Sequence, residues 1–412
     1  MVDVLGRHGS LHTVVGPVDP AHPRSRTALP VAPVLPSLHE RSICLYTPSA
    51  DPSGMGAHML DLAEQYVGAG ARVTVMVWPT DPGQRMLAAA ESVGALAFAL
   101  PHPRDPSFGP AIFGFLRARP VDAFHLHVGT GRENFDGARA ARSAGVGAVV
   151  QTQHLPWLLS SPGKRVPFFT GIEQVDRIIT VSVGQRETYE RIGVPAERIR
   201  TVPNGVRARG AGPGRETARN RLGLHPEQPV VMTVGRLTVM KGQRHLIDCV
   251  PGLVGRFPDV RVVLVGDGHL RADLTAQAAA LGVSDAVVFA GHRTDARQLL
   301  DAADVFVLPS RHEGMPLAAM EAMDAGLPVV GTRVIGTAEV VAEGETGLLV
   351  APGDDAALGE ALATLLADPA RRTRYGQAGR RRYLSHFTSA RMAAGTVGVY
   401  EDVLRAAVVA GR

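Results

Sequence analysis

The sequence predicts an α/β protein of two consecutive doubly wound domains, each a parallel sheet with helices on both faces. Three observations predict it. Short apolar runs alternate with amphipathic helical patterns along most of the chain, the alternation breaks once near the middle, and 412 residues are too many for one ordinary core. Ligands of such sheets bind outside the carboxyl ends of the strands, at switch points, so two facing domains would share one central cleft.

Residues 1–39 are rich in Pro, His, Arg and Ser without apolar periodicity, which predicts a disordered extension. An N-terminal domain over 40–207 follows. Its apolar runs lie at 42–47, 73–78, 96–100, 123–128, 148–153, 177–181 and 199–203. The clearest helical patterns between them are at 57–67 (Met59, Leu60, Ala63 and Val67 on one face), 85–93 and 111–117. Residues 208–228 lose the apolar runs and gather Gly210, Gly212, Pro213 and Gly214, the composition of a linker. Alternation resumes in a C-terminal domain over 229–385, with runs at 230–234, 260–265, 286–290, 305–309, 328–331 and 347–350. Amphipathic patterns at 355–366 and 390–407 close the chain; the segment 386–412 is expected to return to the N-terminal domain.

Composition narrows the function. The chain is 45% apolar and 20% charged with a net charge of +4, and it has no run of six like charges. That mild basic excess suits anionic small molecules and matches no nucleic-acid-binding motif. Cys44 and Cys249 stand alone, forming neither a disulfide framework nor a zinc site, which points to a reducing cytoplasm. Neither an apolar stretch of membrane-spanning length nor a secretion signal is apparent, so a cytoplasmic location is expected. Arg371, Arg372, Arg374, Arg380, Arg381 and Arg382 lie on one helical stretch, either a solvated face or a weak contact with anionic lipid.

The most informative segment is 307–330. A buried strand ends at Pro309, a loop Arg311-His312-Glu313-Gly314 follows, and Pro316 suits the first turn of a helix that stops at Gly326. The free amides of Gly314, Met315 and Leu317 would then point at an anion, aided by the helix dipole. Glu313 would face the cleft mouth. Two turns later, Glu321 could accept hydrogen bonds from both hydroxyls of a ribose, or stand solvated on the helix surface. No Asp-x-Asp occurs to hold a divalent cation between phosphates. Gly266-Asp-Gly268 superficially suits a dinucleotide site, but Arg271 stands in place of the third glycine.

This pattern resembles glycosyltransferase family 4, the retaining enzymes of GT-B fold with two Rossmann-like domains. The family signature of two glutamates separated by seven residues is met by Glu313 and Glu321. Gly235-Arg236-Leu-Thr-Val-Met-Lys241-Gly242 is similar to the family's basic loop, and Val202-Pro-Asn-Gly-Val206, Val265-Gly-Asp-Gly268 and Thr346-Gly-Leu-Leu-Val350 match further landmarks in order. The resemblance implies a nucleoside diphosphate sugar donor, linked to UDP or GDP, with no metal and no further cofactor. Arg236 and Lys241 would hold its diphosphate, Glu313 its sugar hydroxyls and Glu321 its ribose. His154, after the strand 148–153, matches the family histidine that contacts the donor sugar, with His127 close by. His125 reads as a core residue. Asp51-Pro-Ser-Gly54-Met-Gly56-Ala-His58 resembles the family's glycine-rich loop, placing Gly54 and Gly56 near the donor, although Ser53 replaces the first of two adjacent glycines.

The acceptor is not encoded in a readable motif. A small molecule, a glycan end or a lipid-linked acceptor fits equally, bound by loops at 129–134 and 155–169 where Trp157 and Phe168 either stack on it or pack. Richness in Ala, Gly and Arg suits a high-GC bacterial source and a natural-product or cell-envelope pathway. A nucleotide-sugar-binding protein without activity and a nicotinamide-dependent dehydrogenase are the alternatives.

Overall fold

The structure is a computed structural model that describes residues 38–129, 135–157 and 165–409; the extension expected over 1–39 lies outside the described residues up to residue 37. Leu38 already belongs to the first domain, since its side chain is buried and its N–H donates to Ala69 O at 3.0 Å.

Two parallel sheets form. The first contains β1 (Ser42–Thr47), β2 (Arg72–Val77), β3 (Leu96–Ala99), β4 (Ala123–Val128), β5 (Ala148–Gln153), β6 (Arg177–Thr180) and β7 (Ile199–Thr201), in the order β3-β2-β1-β4-β5-β6-β7. The second contains β8 (Val230–Val234), β9 (Arg261–Val265), β10 (Val287–Gly291), β11 (Val305–Leu308), β12 (Val329–Thr332) and β13 (Gly347–Val350), in the order β10-β9-β8-β11-β12-β13. Every position of β1, β4, β5 and β11 is buried, as expected when helices cover both faces, including the polar His125, His127, Gln151 and Gln153 of β4 and β5. Leu45, Val75 and Val150 pack under the helices Ser53–Gly68 and Ser389–Val409. Tyr46, Phe124 and Val149 face Phe108 and Ile112 on the opposite side. In the second sheet Met232 and Phe306 meet Met320 and Met323, while Val231 and Val262 meet Leu246 and Leu362. The switch points fall between β1 and β4 and between β8 and β11, where each strand order reverses.

The chain crosses between the sheets twice, and the crossings run side by side. Val206 N–H donates to Phe387 O at 2.9 Å, and Ser389 N–H donates to Val206 O at 3.0 Å. The final helix, Ser389–Val409, lies against the first sheet, where Gln65 Nε2 donates to Ser389 Oγ at 3.2 Å.

Residues 208–228, read as a linker, hold a helix at Arg215–Asn220 that is fixed to the second sheet. Arg219 is fully buried; it donates to Ala302 O at 3.1 Å, to His225 O at 3.0 Å, and to Asp304 Oδ2 at 3.0 Å. Gly214 N–H donates to Asp301 Oδ2 at 3.0 Å, and Arg209 pairs with the same carboxylate. Apolar periodicity misses this segment because charge and backbone hydrogen bonds anchor it. Likewise three of the six arginines on the helix Pro369–His386 are used internally. Arg372 donates to Leu365 O at 2.8 Å, Arg382 donates to Val340 O at 2.9 Å, and Arg371 pairs with Asp368 at 3.5 Å. No helix among the described residues is long and apolar enough to cross a membrane.

Breaking the Arg219 cluster tests this anchoring. Arg219→Met removes the inner partner of the mostly buried Asp304, leaving Arg215 alone, and is expected to cost about 1–3 kcal/mol in urea denaturation, more than an exposed linker arginine would.

Candidate active site

Both switch points open on the same crevice. From the second sheet come the loop after β8 and the loop after β11. Gly235 N–H donates to Val265 O at 2.9 Å and Leu237 N–H to Asp267 O at 2.9 Å, which leaves Arg236 projecting outward between them. Lys241 is set by its neighbour. Gly242 adopts φ +65°, and a Cβ there would stand 2.0 Å from Pro309 O, so only glycine lets this turn lie against the end of β11. Arg311 N–H then donates to Met240 O at 2.8 Å and ties the two loops together.

Lys241 Nζ reaches Glu313 Oε1 at 2.7 Å, and Ser310 Oγ donates to the same oxygen at 2.7 Å. Glu313 is therefore buried, at 4% exposure, beneath the lysine rather than at the cleft mouth as expected. A carboxylate between an ammonium and a hydroxyl is stable there because both of its neighbours donate to it. Pro316 also differs from expectation: it is extended (φ −76°, ψ 114°) and precedes the helix Leu317–Asp324 instead of forming its first turn. That helix has no side-chain cap, so its first amides are open to an anion. Met315 is buried at the same entrance, its carbonyl accepting from Asn204 Nδ2 at 2.8 Å.

Gly314 marks where the domains meet. A Cβ on it would stand 1.9 Å from His154 O, so the loop after β11 and the end of β5 touch through backbone. His154 follows β5 and shares a contact of 3.2 Å between its Nε2 and His127 Nδ1. His127 and His58 are buried, with rings close to His154. Burial lowers the pKa of all these histidines, His58 to about 4 despite an opposing hydrogen bond with Asn204, so the cluster is neutral at physiological pH. His125 is held in the core by Tyr400 Oη at 2.6 Å and Thr152 Oγ1 at 2.7 Å, the ordinary role assigned to it from sequence.

The glycine-rich segment after β1 is the first turn of a helix rather than a loop. The helix starts at Ser53, and Ser53 has φ +43°, a left-handed backbone at the position where the family pattern has glycine. Gly54 is exposed. Gly56 is buried against Pro52 and Met86, where a Cβ would approach Pro52 Cβ to 2.9 Å, so packing rather than a ligand requires glycine there. Asp51, just before this turn, pairs with Arg236 across the crevice at 3.0 Å.

Glu321 lies beside Arg297, at 3.4 Å from its Nε, and is partly buried. Burial lifts its pKa to about 7; Arg297 opposes the shift while Asp61 and Asp324 add to it. Asp61, on the helix of the first domain, is raised to about 6 mainly by burial. Phe168 packs in an aromatic cluster with Trp157 (ring centroids 4.9 Å apart) and Tyr189 (5.8 Å). Of the acceptor loops, residues 130–134 and 158–164 lie outside the described residues. Sequence reasoning missed two domain-spanning contacts: the Asn204 amide, and the Glu339 carboxylate that accepts from Val183 N–H and Gly184 N–H at 2.9 Å each. Asn204 lies three residues beyond the end of β7, a position after a strand that is itself a usable signal.

Two measurements check this arrangement. Glu321 binds a proton in the folded state that it releases on unfolding between about pH 4.5 and 7, so stability rises as pH falls through that window; Glu321→Gln is expected to flatten the slope, by at most ~1.4 kcal/mol per pH unit, in urea titrations. Gly314→Ala has no room beside His154 and is expected to widen the crevice, read as a larger radius of gyration in small-angle scattering.

The profile described as Glycosyltransferase Family 4 matches residues 52–209, and that described as Glycosyl transferases group 1 matches residues 214–382. Alpha-maltose-1-phosphate synthase from Mycobacterium tuberculosis (strain ATCC 25618 / H37Rv) is 34% identical over 60% of this chain and 70% of its own. The lipopolysaccharide core biosynthesis glycosyltransferase LpsE of Rhizobium meliloti is 36% identical over 52% of this chain and 60% of its own. Across the curated relatives the match spans 57 to 70% of their length. In fold, the chain is similar to Anabaena HepE, solved in complex with UDP, with a TM-score of 0.75 at 21% identity over 88% of this chain and all of that one. The fold is GT-B, and the chain belongs to glycosyltransferase family 4.

Proposed function

We propose that the protein transfers a sugar from a UDP- or GDP-linked donor to an acceptor bound on the side of the first domain, with retention of configuration. The observation that carries this reading is the meeting of Lys241, Glu313 and the uncapped start of the Leu317–Asp324 helix at a switch point, with Arg236 reaching across the same crevice.

The leaving group is a nucleoside diphosphate whose negative charge grows as the glycosidic bond breaks. Arg236, Lys241 and the amides at Gly314, Met315 and Leu317 neutralise it, so no divalent cation is needed in catalysis and no other cofactor takes part. Both cations are paired with carboxylates in this structure, and a diphosphate carries more charge than the single carboxylate it displaces from each. Glu313, released from Lys241, then accepts from sugar hydroxyls, and Glu321 turns from Arg297 to the ribose diol. His154, neutral and at the edge of the crevice, meets the sugar from the other domain. The acceptor hydroxyl attacks the anomeric carbon, the bond to the diphosphate breaks, and the leaving phosphate oxygen takes the proton. No protein nucleophile is required.

Gly54 stands at the first turn of the Ser53–Gly68 helix, open to the donor's phosphates; Gly56 does not contribute. The acceptor is a small molecule, a glycan or a lipid-linked acceptor, in a cell-envelope or natural-product pathway. Cys44 and Cys249, both buried and neither in a disulfide, suit action in the cytoplasm.

Calorimetry with UDP and GDP sugars, followed by an assay for nucleoside diphosphate release, tests the reading. Lys241→Ala is expected to lower kcat/KM by roughly 10²–10³-fold and Glu321→Ala by more than ~10-fold, with turnover unchanged by EDTA. If both variants stay within about threefold of the parent, less than a kcal/mol of barrier, the assignment is wrong.

A further inference from the structure

The proposed transfer uses one histidine of a cluster of three. His58 comes from the Ser53–Gly68 helix, His127 from β4 and His154 from the residue after β5. One ring nitrogen from each lies within 4.8 Å of the other two. The hydrogen bonds decide which nitrogens are available. His58 Nδ1 lies 3.0 Å from Asn204 Oδ1, while Asn204 Nδ2 is committed to Met315 O at 2.8 Å. Asn204 Oδ1 is thus the acceptor, His58 Nδ1 carries the proton, and His58 Nε2 keeps a lone pair. That Nε2 is buried and has no hydrogen-bond partner among the described residues. A ring fixed through one N–H by a carbonyl, with its other nitrogen free, is how proteins orient metal-ligating histidines.

The second pair has matching dimensions. His127 Nδ1 and His154 Nε2 are 3.2 Å apart. Two nitrogens on one tetrahedral zinc, each bonded at ~2.0–2.1 Å, stand about 3.4 Å apart. Among the described residues His127 Nε2 is also buried without a partner, so no other contact there dictates which nitrogen of this ring is protonated. His154 is only half-buried and borders the crevice, which leaves a fourth position open to water.

We propose that His58, His127 and His154 bind a borderline-soft divalent cation of the zinc class, and that filling this site blocks sugar transfer. Three imidazoles without a carboxylate select zinc, cobalt or copper over magnesium and calcium, which take oxygen ligands. The blockade rests on the reading of His154 above, because a coordinated His154 no longer meets the donor sugar; the metal site itself does not depend on that reading. A second group, His245, Asp248 and Asp355, lies on the second domain. His245 Nδ1 is already 2.8 Å from Asp355 Oδ1, and Gln277 donates to Asp248 at 2.7 Å, so this group is the natural control.

The full chain, purified without a histidine tag, is titrated with cobalt(II) and followed by visible absorption, with zinc added afterwards as competitor. One equivalent of cobalt with the strong bands of four-coordinate geometry is expected, displaced by zinc. His58→Gln and His127→Gln should each weaken binding at least ~10-fold, and His245→Ala should leave it unchanged. Circular dichroism of both glutamine variants checks folding, and either one suffices for the comparison. The site is refuted if cobalt shows only weak six-coordinate absorption, if neither glutamine variant alters binding, or if binding is lost with His245→Ala instead. Zinc should also abolish nucleoside diphosphate release in the parent. Stoichiometric binding with undiminished release overturns the blockade alone, and absence of turnover without metal overturns the transfer reading while the cobalt spectra still decide the site.

Discussion

Asn204 stands at the point where the chain first leaves the N-terminal sheet, and its one amide serves both domains. The oxygen accepts from His58 on the first helix, and the nitrogen donates to Met315 at the start of the helix that carries Glu321. Neither bond can be replaced by water without cost, because Asn204, His58 and Met315 are all buried. The relative placement of the two strand-end surfaces, and with it the distance from the histidine cluster to the Leu317–Asp324 helix, depends on this short chain of groups. Gly314 against His154 O and Glu339 against the amides of Val183 and Gly184 are secured by the same approach.

Charge is arranged around that contact with few idle groups. Lys241 faces Glu313 and Arg236 faces Asp51, so the cations are held in place before any ligand arrives. The two pairs differ in environment. Glu313 is buried and fixed by Ser310, whereas Arg236 and Asp51 are both about half exposed, where an ion pair contributes little. Arg236 is the more easily recruited of the two. Glu321 has a third kind of environment: burial and two neighbouring carboxylates make its negative charge costly, and Arg297 offsets only part of that cost.

Most of the fold was legible from residues alone, because parallel strands buried on both faces are largely apolar, with polar residues confined to a few positions such as His125, His127, Gln151 and Gln153. The runs at 42–47, 123–128 and 148–153 coincide with β1, β4 and β5 for that reason. What escaped was held by polar bonds. The helix Arg215–Asn220 has no apolar period and is fixed by Arg219 and Asp304, which a hydrophobic pattern cannot reveal. The segment 51–56 suggested a loop because of its glycines, yet Gly56 serves helix packing. At the site, the family resemblance named Glu313, Lys241 and His154 as neighbours of one crevice, but could not show that Glu313 lies beneath Lys241. Burial of a carboxylate depends on which donors the rest of the fold delivers, here Ser310 and Lys241 from two different loops.

The paired crossings at Val206 and Thr388 carry a mechanical consequence. Two connections far apart would clamp the domains at both ends; two that are zipped together through Phe387 O and Val206 O act as a single pivot. Relative motion is then rotation about that seam, with sliding of one domain past the other suppressed. Points remote from the seam sweep the longest arcs, so a small change in backbone torsion at Val206 or Thr388 is geared into a wide gape at the far rim.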